Sequence, residues 1–207
     1  MTREQERTTN RNAIISAAIK LFLRNGIDKT TISQIAEEAT LSSMSVYRYF
    51  GTKQSIAVAV ANHLLQEYLG EHRKRCVQGE RPGETGHDAF ARIVRAYVAT
   101  YEVHPEYIDF LQDMGSYSMR ESLSYDLDYM QYGSIHVDNI DRPAREALSR
   151  GILDGSIRKD IDISTVGRIL ANLLTGGVHF RGMIDEHQQT DIIRSTAEMI
   201  IYYTKEV

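Results

Sequence analysis

Thirteen residues, LSSMSVYRYFGTK from Leu41 to Lys53, bring together Ser42, Ser43, Ser45, Tyr47, Arg48, Tyr49 and Lys53. Hydroxyls on short side chains donate or accept hydrogen bonds at close range. Phenol, guanidinium and ammonium groups act from further away, and together they suit a surface that carries base edges and phosphates. Ser, Val and Tyr rank below Ala, Leu and Lys as helix formers, so a helix here needs a reason other than propensity.

The neighbouring elements supply that reason. Ile14, Ala17, Ala18, Leu21 and Phe22 recur at helical spacing ahead of Gly26 and predict a first helix over residues 8–24. Thr31 and Gln34 fit a capping box that opens a second helix of about two turns, with Ile35 and Ala39 pointing inward and an end near Thr40. The quoted stretch forms the third helix, and Thr52 is suited to cap a fourth that runs to about Gln78. Short helices joined by a turn of three or four residues make a helix-turn-helix, here at about 31–50. In that motif the second helix enters the major groove with its N-terminal residues at the base edges, where small side chains permit close approach. Thr31, Ser33, Ser42, Ser43, Met44, Ser45, Tyr47, Arg48, Tyr49 and Lys53 are therefore the candidate DNA contacts. Phe50 reads as core, while Tyr49 is divided between packing and phosphate contact.

Gly26, Thr31, Ile35-Ala36, Leu41-Ser42, Val46-Tyr47, Tyr49-Phe50, Thr52-Lys53 and Ile56 resemble, in register, the tetracycline-repressor (TetR) family of bacterial transcriptional regulators. The resemblance covers roughly residues 8–60. It implies an all-α protein in two parts: a helix-turn-helix DNA-binding domain at 8–68, and a larger helical domain at 69–207 for effector binding and dimerisation. Thr40 stands where the family commonly has glycine. A β-branched residue at positive φ is costly, so the turn is expected to take a different path. Met44 stands where the family usually has a small residue or proline, so base readout is expected to differ.

Beyond the Gly/Pro-rich break at 79–86, helical stripes recur around Val94, Phe110, Val166 and Ile192 to the C-terminus. Aromatic, Met and polar residues within them suggest a mainly apolar pocket with a few polar groups: Tyr97, Tyr101, Tyr107, Phe110, Met114, Tyr117, Met130, His136, Asn172, His179 and Arg181. The same residues equally fit an ordinary core, and Tyr125, Tyr129 and Tyr132 equally fit a dimer face. By resemblance, the last two helices build a homodimer interface. Gly176-Gly177 inside a helical pattern agrees with close helix approach, and two half-sites one turn apart call for a dimer.

The net charge of −4 conceals an asymmetry. Up to Lys53 there are eight Lys or Arg against five acids; beyond it, 16 against 23. Only the N-terminal quarter therefore has an electrostatic reason to approach phosphate. Cys76, the single cysteine, excludes an intramolecular disulfide and a cysteine-based zinc site, and no apolar run suits export or membrane spanning. The expectation is a cytoplasmic regulator, with operator DNA and a small-molecule effector as partners and no cofactor, no metal and no membrane. Glu84 and His87 have the spacing of a di-iron pair, but no second pair exists; phosphate-loop and nucleophile-elbow motifs are absent, so no enzyme is expected. A DNA-binding protein without effector control is the main alternative. A helical-bundle enzyme or an adaptor, whose anionic surface Arg73-Lys74-Arg75 could meet, ranks behind it.

Overall fold

The computed structural model describes residues 2–120, 137–176 and 185–206. Among these the regular elements are helices: α1 (Arg3–Asn25), α2 (Ile32–Glu38), α3 (Ser43–Phe50), α4 (Lys53–Gln78), α5 (Gly86–Val103), α6 (Pro105–Arg120), α7 (Val137–Asp154), α8 (Ile163–Gly176) and α9 (Glu186–Thr204). The chain divides into two compact units. One is Met1–Gln66 with α6 from Asp109 onward; the other is Glu67–Ile108 with α7 to α9.

In the first unit, Ile14, Ala18, Phe22, Ile35, Val46, Phe50, Ile56 and Val60 are buried and form the core that α1 to α4 share. Each large apolar side chain removed from water contributes about 1.5–3 kcal/mol, and this burial holds helices as short as α2 and α3 in place. From α6, Phe110 stacks on Phe22 with ring centroids 6.0 Å apart. The first helix begins five residues earlier than its apolar stripe indicates. Thr2 and Gln5 form a reciprocal capping box that prolongs α1 into solvent, where no burial pattern could mark it.

In the second unit α5 packs against α7 and α9, and α8 packs against both α7 and α9. Gly86 and Gly151 make the seam between α5 and α7: a Cβ on Gly86 would lie 2.0 Å from the Gly151 nitrogen. The Gly86 amide donates to Asp154 Oδ2 at 2.7 Å. A part-buried ion pair joins Glu84 to Arg92, and the guanidinium holds the Glu84 carboxyl below the usual range. Tyr68 donates to the Tyr97 carbonyl, and His72 stacks on the Tyr97 ring at 3.8 Å.

Candidate nucleic-acid interface

α2, its turn and α3 are fixed by backbone bonds with few alternatives. The Thr31 hydroxyl accepts from the Gln34 amide, while the Gln34 side chain accepts from the Thr31 amide, and the pair fixes the start of α2. At its end, the Leu41 amide donates to the Ala36 carbonyl at 2.8 Å and the Thr40 amide to the Glu37 carbonyl at 3.0 Å. These two bonds form a Schellman motif in which Thr40 is the left-handed residue. Its φ is 58°, the one positive value at a non-glycine residue among those described. The expected detour at Thr40 does not occur: the turn keeps the glycine geometry with a β-branched residue in it, because the two bonds and the burial of Ile35 and Ala36 over-determine the path.

Ser42 then caps α3, accepting from the Ser45 amide at 3.2 Å. Its hydroxyl also meets the Ser45 hydroxyl at 3.0 Å, and Arg48 donates to the latter at 3.5 Å. Val46 and Phe50 face inward, which turns Met44, Tyr47 and Arg48 outward as one exposed stripe at i, i+3 and i+4. Met44 is 75% and Tyr47 51% exposed. Ser43 and Ser45 are half-buried on the flank of this stripe, and Ser33 is exposed on α2. The Tyr49 hydroxyl accepts from Asn10 at 3.1 Å, and its ring receives the Arg48 guanidinium 5.4 Å from the centroid.

Lys53, expected to reach a phosphate, has a different engagement. Its ammonium donates to the carbonyls of Ile27, Asp28 and Thr30 at 2.9, 3.2 and 3.1 Å. Three donors on three carbonyls leave no N–H over, so the side chain closes the loop between α1 and α2. The missed signal lies in sequence distance: the acceptors are backbone groups more than twenty residues away, which no motif marks.

Residues that sequence reasoning passed over also border α3. Arg3, Glu4, Glu6 and Arg7 from the start of α1 line an open groove with Arg48 and Tyr49. Arg11 lies over the Phe50 ring, 4.4 Å from its centroid.

The candidate effector residues divide between the units. Tyr97 and Tyr101 are buried in α5 and Tyr107 is half-buried, all in the second unit; Phe110, Met114 and Tyr117 are buried in the first. Met130, His136, His179 and Arg181 lie outside the described residues, as do Tyr125, Tyr129, Tyr132 and the side chain of Asn172. Glu84 and His87 both have structural partners, Arg92 for the carboxylate and the Ile201 carbonyl, 2.9 Å from Nε2, for the imidazole. Among the described residues no cluster of three or more His, Cys, Asp or Glu could hold a metal ion, and no helix is long and apolar enough to cross a membrane.

An all-helical chain with a capped helix-turn-helix and a polar exposed third helix belongs to the class of DNA-binding transcriptional regulators. Residues 14–60 match the family of bacterial regulatory proteins described as the tetR family. The HTH-type transcriptional repressor KstR2 of Rhodococcus jostii is 24% identical over 164 residues, 77% of this chain and 74% of that protein. The HTH-type transcriptional regulator HbdR of an Aromatoleum species is 47% identical over 61 residues, 30% of this chain and 27% of its own. The fold is similar to that of the TetR-family regulator PfmR of Thermus thermophilus, with a TM-score of 0.66 at 19% identity over 93% of this chain and 99% of the other. Residues 14–60 thus carry the helix-turn-helix region of the tetR family of bacterial regulatory proteins.

Proposed function

We propose that the protein is a cytoplasmic homodimeric repressor that holds its operator through α3 and releases it when a small molecule binds. The observation that carries this reading is the outward stripe of Met44, Tyr47 and Arg48 on a helix whose start is capped by Ser42. Ser42, Ser43, Met44 and Ser45 occupy the end of α3 that approaches base edges, while Tyr47, Arg48 and Tyr49, with Thr31 and Ser33 at the start of α2, take sugar and phosphate. Lys53 acts as a positioning residue for the α1–α2 loop. In this reading residues 8–68 form the DNA-binding domain and 69–207 the effector-binding and dimerisation domain. Its function is regulatory, with no catalytic role.

The dimer face is assigned to the last two helices. Along α9, Ile193, Ala197, Ile200 and Ile201 are buried, while Ile192, Met199, Tyr202 and Tyr203 form a second apolar stripe that stays exposed. Tyr202 is 80% and Met199 71% exposed, and Ile169 of α8 adds to the same character. An apolar stripe of this length in water is accounted for by a second copy of the chain. Effector binding is assigned to the second unit, where Tyr97, Tyr101 and Tyr107 stand among the candidate residues. α4, which contributes residues to both units, transmits the change. A coupling of about 1–3 kcal/mol changes DNA affinity roughly 5- to 150-fold.

A thermal-shift screen of small apolar and amphipathic compounds, followed by titration of each hit against protein bound to DNA from upstream of its own gene, tests the reading. A hit that raises the melting temperature and releases DNA supports it. Tight DNA binding that no stabilising hit alters would favour a regulator without effector control.

A further inference from the structure

Residues 3–12 of α1 form nearly three helical turns, about 15 Å long, that precede Ile14, the first buried residue, and all but half-buried Asn10 are exposed. A helical overhang without burial gains little from propensity and is marginal in water, even with the Thr2 capping box. Arg3, Arg7 and Arg11 recur along it at i, i+4 and i+8. The first two share a groove with Arg48 and Tyr49, and the third lies against Phe50 at the end of α3. Among the described residues none of Arg3, Arg7, Arg11 and Arg48 has a carboxylate partner. By contrast, Arg92, Arg95, Arg158 and Arg194 of the second unit hold Glu84, Glu198, Asp160 and Glu102. Asn10, bonded to the Tyr49 hydroxyl at 3.1 Å, anchors the overhang to the very part of α3 assigned to the DNA backbone.

We propose that the overhang of α1 is a second DNA-contacting element, in which Arg3 and Arg7, continuing from Arg48, bind the phosphate backbone beside the major-groove site. The inference rests on the assignment of α3 to DNA and extends the contact to a helix outside the helix-turn-helix. Arg3 and Arg7 stand about 6 Å apart along the axis of α1 at i and i+4, far enough for each to meet a phosphate of its own. Glu4 and Glu6 sit at the positive end of the α1 dipole, which accounts for their presence, yet they oppose the arginines in the same groove. The groove therefore makes predictions of both signs.

Fluorescence anisotropy of the full chain on a long mixed-sequence duplex, between about 50 and 200 mM salt, reads these contacts without knowledge of the operator, since phosphate binding is independent of sequence. R3Q/R7Q is expected to lower the slope of log affinity against log salt by about 1.8 per protomer, two phosphates' worth, and so by about 3.6 for a bound dimer. E4Q/E6Q is expected to tighten binding, and R73Q, an exposed cation of the second unit, to leave the slope unchanged. A wild-type slope in R3Q/R7Q overturns the proposal while leaving the α3 assignment standing. No salt-dependent binding by the wild type overturns both. A slope lowered equally by R73Q shows a general charge effect and also overturns it.

Discussion

Thr40→Gly removes the one left-handed non-glycine residue among those described. A residue with a Cβ in that region costs about 1–2 kcal/mol, and Gly costs nothing there. Against this stands the larger freedom of Gly in the unfolded chain, worth about 0.4–1 kcal/mol. The Thr40 side chain is exposed, and the bonds that define the turn come from backbone amides, which Gly retains. Net stabilisation of about 0.5–1 kcal/mol follows, which for a chain of this size raises the melting temperature by roughly 1–4 °C. Urea unfolding read by circular dichroism measures it as a higher midpoint at unchanged slope, with DNA affinity unchanged because the turn already has the glycine geometry. Thr40→Val, which keeps the strain and removes only the hydroxyl, should stay close to wild type. Destabilisation by Gly would refute the assignment of strain to this residue.

Other perturbations separate structural from contacting roles. Lys53→Met removes three partly exposed bonds to carbonyls and should cost about 2 kcal/mol, or roughly 4–8 °C in thermal unfolding, with the salt slope of DNA binding little changed; a slope lowered by one phosphate per protomer at undiminished stability would return Lys53 to the backbone contacts. His72 is 3% exposed, and burial, reinforced by Arg73 and partly offset by a bond to the Ala96 backbone, lowers its pKa to about 4. The unfolded chain binds this proton first, so stability is fully present above about pH 6.5 and falls as pH drops through about 4, by about 3 kcal/mol in total. His72→Gln should flatten that part of the pH profile, and the acid loss due to Glu84 should remain; equal profiles would contradict a buried neutral imidazole. Met44→Ala should leave stability within about 0.5 kcal/mol of wild type and redistribute affinity among DNA sequences, and uniform weakening would remove Met44 from the base-facing set. Met199→Glu with Tyr202→Glu should yield monomers in sedimentation while the helical signal is retained; an intact dimer would place the interface elsewhere.

The helices were legible where apolar periodicity and capping chemistry coincide. Thr31 with Gln34 at the start of α2 and the end of α4 at Gln78 follow local rules that act within four residues. What escaped depends on distant or solvated partners. Lys53 meets carbonyls on the far side of a loop, Arg3 and Arg7 meet α3 only because α1 extends into solvent, and Phe110 stacks on Phe22 across 88 positions of sequence. Thr40 is instructive in the other direction. The local rule correctly priced its strain, yet the Schellman bonds and the buried Ile35 and Ala36 outweigh a cost of that size. Tyr97 and Tyr101 show why the effector site was least legible: the aromatic spacing of a pocket wall and that of a core are the same.

The central claim is sequence-selective binding of duplex DNA through α3. Anisotropy of purified protein on DNA from upstream of its own gene, beside a scrambled duplex of equal length and with Tyr47→Ala as a second sample, tests it most directly. Tight, salt-dependent binding of the upstream DNA with dimer stoichiometry is expected, with weaker binding of the scrambled duplex and loss of the difference in Tyr47→Ala. Equal binding of both duplexes by wild type and variant alike would contradict it.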